Sequence, residues 1–164
     1  DARINMIYEG TNTIQSLDLL GRKVLGNNGA TLKKFGKLVG ALVEAEGVNE
    51  KMAEFINPLA QLGDQITKFT TEIGFKAFQN PDEAGAAAVD YLRVAGHLVF
   101  GYFFARMASV ALQQIAAGNT DPFYGAKLQT ARFYFAKLFP ETATLMRTAR
   151  AGSKVLMDTD LALA

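Results

Sequence analysis

Between Asn80-Pro81-Asp82-Glu83 and Gly118-Asn119 the chain runs on without a proline or a cluster of turn residues. No other stretch restricts the fold as much. Asn80 reads as a helix cap, Pro81 as the first helical residue, and the two acids as first-turn groups favoured by the helix dipole. Gly118-Asn119 reads as the stop. A helix over 82–117 is roughly 54 Å long at 1.5 Å per residue. It is apolar nearly all round, with Val94, Leu98, Tyr102 and Ala105 on one side and Leu92, Val99 and Phe103 on another. Such a helix has to be wrapped by others. Its small residues, among them Ala87, Ala88, Gly96 and Gly101, let neighbours come close.

The flanking segments supply those neighbours. Leu32, Phe35, Leu38, Val39 and Leu42 recur at helical spacing, as do Ile66, Phe69, Ile73 and Ala77, and then Phe133, Tyr134, Leu138, Leu145 and Ala149. No run alternates as a strand would. The breaks at Asn27-Asn28-Gly29, Gly47, Asp121-Pro122 and Pro140 predict helices over 12–26, 31–46, 50–79, 82–117, 122–138 and 140–156. Pro58 removes one backbone hydrogen bond inside the third and is expected to kink it. The fold class is all-α: an antiparallel helical bundle of four to five main helices preceded by a short loop–helix arm.

The charge pattern sets limits on function. Lys and Arg number 17 against 16 Asp and Glu, which argues against a nucleic-acid partner. The absence of cysteine rules out disulfides and thiolate metal sites and fits a cytoplasmic location. With His97 as the single histidine, a zinc site is not expected. The most apolar run, Val94 to Ala105, is interrupted by His97 and closed by Arg106, so no membrane span is expected. The chain opens on Asp1 rather than Met and reads as part of a longer protein.

The opening segment Ile7-Tyr8-Glu9-Gly10-Thr11-Asn12-Thr13-Ile14-Gln15 is the least helix-like part. It sets a carboxylate beside a glycine that lets main chain approach a ligand. Thr11 or Asn12 can cap the helix that follows, with Gln15 three residues after Asn12 as in a capping box. A helix start gathers unpaired N–H groups that suit a phosphate. A capped surface loop with a solvated Glu9 accounts for the same residues.

Arg3-Ile4 followed by "IYEGTNTIQSLDLLGRK" resembles the C-terminal part of flavin-dependent acyl-CoA dehydrogenases. "FARMA" at 104–108, "ARFYFAKLFPETA" at 131–143 and "RAGSKVLM" at 150–157 resemble the helical C-terminal extension of a bacterial branch of that family, which includes dehydrogenases of 3-methylmercaptopropionyl-CoA and aryl-acyl-CoAs. The resemblance implies two parts, 1–27 as the end of the dehydrogenase C-terminal domain and 28–164 as the extension. It implies Glu9 as the base that removes the substrate's α-proton, Gly10 as a substrate contact, and Thr11, Asn12 and Thr13 as contacts to FAD, which accepts the β-hydride. It implies an acyl-CoA substrate, electron-transfer flavoprotein as redox partner, and a homodimer or homotetramer. Residues 1–164 alone are then expected to bind FAD poorly and to lack activity, and the opening arm, without its usual neighbours, to be loosely held.

The remaining residues have plainer readings. His97 reads as a core histidine bonded to a neighbour. Arg22, Lys23, Lys33, Lys34 and Lys37, with no acid between Leu19 and Val43, read as a solvated face, although they could meet phosphates in a larger enzyme. Phe100, Tyr102, Phe103, Phe104, Phe133, Tyr134, Phe135 and Phe139 read as core. A rival for the 28–164 segment is a docking or oligomerisation module with no chemistry of its own.

Overall fold

The computed structural model describes Ile4 and residues 11–157, and within these the chain is helical with no strand. Helix α1 spans Asn12–Leu17 and runs on through a π-helical segment, Asp18–Val24, and a 3-10 turn, Leu25–Asn27. Helix α2 spans Ala30–Glu46, α3 Ala53–Gln79, α4 Asp82–Ala116, α5 Pro122–Phe133, α6 Glu141–Ala149 and α7 Lys154–Met157. A second π-helical segment, Tyr134–Leu138, prolongs α5.

The breaks fall where the turn residues stand. Asn80 is extended, and its side chain accepts a hydrogen bond from the Asp82 N–H at 3.1 Å, so Asn80 caps α4 across Pro81. Asp121 caps α5 by accepting from the Phe123 N–H at 2.9 Å, with Pro122 in the first helical position. Helix α3 continues without interruption past Pro58. The last predicted helix is instead divided: Gly152 takes a φ of +79°, and a non-glycine residue there is strained. A side chain there would also press within 2.9 Å of Glu83. The Glu83 carboxylate accepts from both the N–H and the hydroxyl of Ser153, at 3.0 and 2.6 Å. The Ser153 hydroxyl and then its backbone N–H hold the Glu83 carboxyl below its ordinary range.

Side-chain pairings show the bundle's sense. On α4, Tyr91 stacks on Phe69 of α3, and ten residues later Gly101 faces Leu59, so the two helices are antiparallel. His97 meets Tyr134, Arg93 meets Glu141, Asp90 accepts from Thr148 at 2.7 Å and Glu83 meets Ser153, so α5 and α6 run down α4 in one continuous antiparallel path. Helix α2 lies on α3 and α4, with Phe35 edge-on to Tyr102 and Ser109 donating to Glu46. The core is one cluster around α4. Tyr91, Val94, Leu98 and Ala105 meet Phe55, Leu59, Leu62, Ile66 and Phe69 of α3, and Leu20 and Val24 cover them from the opening segment.

Helix α4 is long and apolar enough, by length and composition, to cross a bilayer. Here it is the central strut, packed by α1, α3, α5 and α6. The packing also corrects the expectation that all the central aromatics are core. Tyr134, Phe135 and Phe139 are buried, Tyr102 and Phe104 half-buried, while Phe100, Phe103 and Phe133 are 58%, 51% and 56% exposed. Leu38 is exposed as well. Helical spacing gives a residue's face but not whether a neighbour covers that face.

Candidate functional site

Glu9 and Gly10 lie outside the described residues. The three positions that follow are placed. Thr11 is the N-cap residue of α1, and Asn12 and Thr13 are its first two helical residues, all three exposed. The capping box is not formed as expected. Thr11 has near-helical angles (φ −108°, ψ −7°), which aim its hydroxyl away from the first turn, and its side chain makes no cap bond. Its carbonyl accepts the first helical bond, from the Gln15 N–H at 2.8 Å. No acid stands in the first turn, so the N-terminal end of the helix keeps its positive character.

The segment behind these residues is anchored. Ser16 is fully buried, its hydroxyl donating to the Thr13 carbonyl at 2.8 Å, and Leu20 is also fully buried. The segment from Asn12 onward is therefore docked on α4, while the stretch before Thr11 that is expected to be loosely held lies, apart from Ile4, outside the described residues. Asp18 binds the guanidinium of Arg22 and the ammonium of Lys23, the latter at 2.9 Å. Those two hydrogen bonds, Arg22 first, pull the Asp18 carboxyl down to about 2. Two of the five bases between Leu19 and Val43 are thus neutralised locally.

Thr11 and Thr13 bring two hydroxyls, and Asn12 a side-chain amide, to an exposed helix start. That donor set fits the hydroxyl- and phosphate-rich part of a dinucleotide. None of the three lines the cleft that lies between α2 and α3. Among the described residues no group of His, Cys, Asp or Glu is placed to hold a metal ion.

The second polar centre joins three helices. His97 Nδ1 lies 2.9 Å from the Tyr134 hydroxyl, and Nε2 lies 3.4 Å from Glu141, which is also bound by Arg93. Burial, and then the charge of Arg93, lowers the His97 pKa, and burial raises that of Tyr134. His97 is the bonded core histidine that the sequence suggested. The π-helical segment Tyr134–Leu138 brings Tyr134 under it.

Residues 30–160 match the family described as acetyl-CoA dehydrogenase C-terminal like. A 3-methylmercaptopropionyl-CoA dehydrogenase of Ruegeria pomeroyi is 34% identical, over 95% of this chain and 27% of that protein. A broad-specificity linear acyl-CoA dehydrogenase of Mycobacterium tuberculosis is 26% identical over 85% of this chain and 24% of its own length. A butyryl-CoA dehydrogenase of Syntrophomonas wolfei is 24% identical over 96% and 26% respectively. The chain therefore spans about a quarter of the length of the curated relatives it matches.

Proposed function

Because the chain belongs to the acetyl-CoA dehydrogenase C-terminal-like family, we propose that it is the C-terminal part of an FAD-dependent acyl-CoA dehydrogenase. Its opening segment would carry the catalytic base, and 28–164 would form the helical extension. The observation that carries this reading is the similarity to relatives named acyl-CoA dehydrogenases over nearly the whole chain. The match over 96% of the chain leaves too few residues over for position 9 to fall outside the aligned span.

The α-proton of a thioester is weakly acidic and needs a positioned base, with hydrogen-bond donors aimed at the thioester oxygen. Glu9 takes that proton. Gly10 lets the main chain approach the substrate, so that the backbone N–H of Glu9 can meet the thioester oxygen. Thr11, Asn12 and Thr13 hold the nucleotide part of FAD, with Thr11 at the helix start. Bound FAD supplies the acceptor for the β-hydride. Electron-transfer flavoprotein then takes the electrons, and the location is cytoplasmic.

The test is Glu9→Gln in the full-length protein. Flavin absorbance is expected to persist while kcat falls at least a hundredfold, as for loss of a general base. Unchanged turnover removes Glu9 from the mechanism. Residues 1–164 alone are expected to purify colourless and inactive. An oxidised-flavin band in that preparation would contradict this.

A second reading is favoured by one observation. Phe100, Phe103 and Val110 on α4, Phe133 at the end of α5 and Leu138 in the π-helical segment are exposed. An exposed group of large apolar side chains marks a contact surface. On this reading the 28–164 segment joins subunits or covers the rest of the enzyme, while the chemistry stays in the opening arm.

A further inference from the structure

The cleft between α2 and α3 has a volume of about 620 Å³. It runs along α2 from Gly29 to Val39, roughly 15 Å at 1.5 Å per residue. Its walls are Leu25, Leu32, Val39, Ile66, Phe78 and Leu98. On one side the hydroxyls of Thr67, Thr70 and Thr71 are turned back onto their own helix at 2.9, 2.6 and 3.1 Å, so that wall asks for no partner. Thr70 also pairs with Tyr91 at 2.6 Å. The trough is long and largely apolar.

Two glycines keep it open. Gly36 of α2 and Gly63 of α3 stand in mid-helix and line the trough. A Cβ at Gly36 would meet nothing within 4 Å, and one at Gly63 would meet only Val39, at 3.8 Å. Neither glycine has a positive φ. Glycine in a helix interior weakens the helix, and here neither backbone angle nor crowding demands it. What the two glycines provide is space.

The electrostatics of the trough have one sign. Among the described residues no Asp or Glu lines it, and Lys33 does. Lys33 forms no ion pair among the described residues. Lys34 and Lys37 stand on the same helix, with no acid until Glu44. The first turn of α2, from Gly29 to Lys33, forms part of the same wall, so the helix dipole adds to the preference for an anion.

We propose that this trough binds a single-chain alkyl carboxylate, with the chain lying between Gly36 and Gly63 and the carboxylate on Lys33. The site is separate from Thr11 to Thr13, none of which lines it, and the proposal does not depend on the dehydrogenase reading.

The probe is decanoate, titrated into the 164-residue chain by calorimetry and followed by 13C NMR of its labelled carboxyl carbon. Decanol serves as the uncharged control. One saturable site is expected, with decanoate binding about tenfold tighter than decanol. Lys33→Gln, at an exposed position, is expected to remove that difference. Gly63→Leu and Gly36→Leu are expected to abolish binding of both probes and to raise the melting temperature. Absence of saturable binding overturns the proposal. So does binding that survives both Leu variants, or that is equal for decanoate and decanol. Should a Leu variant fail to fold, Lys33→Gln still decides: unchanged decanoate affinity in that variant rejects the site.

Discussion

His97 shows how much a single side chain can report. It sits on α4, bonds Tyr134 beyond α5 and faces Glu141 of α6, with Arg93 close by. Burial keeps its folded pKa below the ordinary 6.5, so the unfolded chain binds a proton more readily than the folded one. The sign follows: stability is complete above about 6.5 and falls as pH drops through the region below it. We expect the melting temperature to decline between pH 7.5 and 5.5, and His97→Gln to flatten that decline. An equally steep decline in the variant would mean other groups are responsible. Sequence made His97 conspicuous only because it is the single histidine on an apolar run. It could not name Tyr134 or Glu141, which lie 37 and 44 positions away and are brought in by two turns of the chain. Thr11, Asn12 and Thr13 were legible as a polar helix start for the opposite reason: caps are local chemistry. Even so, the side-chain cap itself did not form, because the backbone angles at Thr11 turn its hydroxyl away.

At the scale of elements the sequence was most informative. Asparagine, aspartate and proline sit where α3 ends, α4 starts and α5 starts, and each acts within a few residues. The division at Gly152 was missed, since the hydrophobic pattern runs on through it while a positive φ and the Glu83–Ser153 bonds stop the helix. Gly101, in the middle of α4, is a packing constraint. A Cβ there would lie 2.7 Å from the Phe139 ring and 3.2 Å from Leu59, and both of those side chains are buried. Gly101→Ala should therefore destabilise by about 1–3 kcal/mol from overpacking, despite the better helix propensity of alanine. Gly85→Ala meets open space and should be neutral or stabilising. Urea denaturation of the two variants checks the pair; an increase in stability for Gly101→Ala would show that α4 does not approach its neighbours so closely.

For the whole molecule, the question is what covers the apolar side chains that the bundle leaves outside. Phe103, Met107 and Val110 of α4 border Phe123 and Tyr124 of α5 around a shallow apolar cleft of about 300 Å³, and Phe100 is exposed on the same helix. In the full-length protein, Phe100→Ser with Phe103→Ser is expected to leave the circular dichroism spectrum unchanged and to shift sedimentation to a smaller species. Unchanged mass together with unchanged turnover would reject the contact surface. Taken alone, the sequence determined the helical class, the caps and the central place of 82–117, because periodicity and capping act over one or two turns of backbone. Its motifs also carry the resemblance to acyl-CoA dehydrogenases. Only the tertiary structure decided which apolar residues are core, how one imidazole ties three helices, and that two glycines hold a trough open. Those outcomes depend on which faces meet, and residues far apart in the chain settle that together through excluded volume and burial.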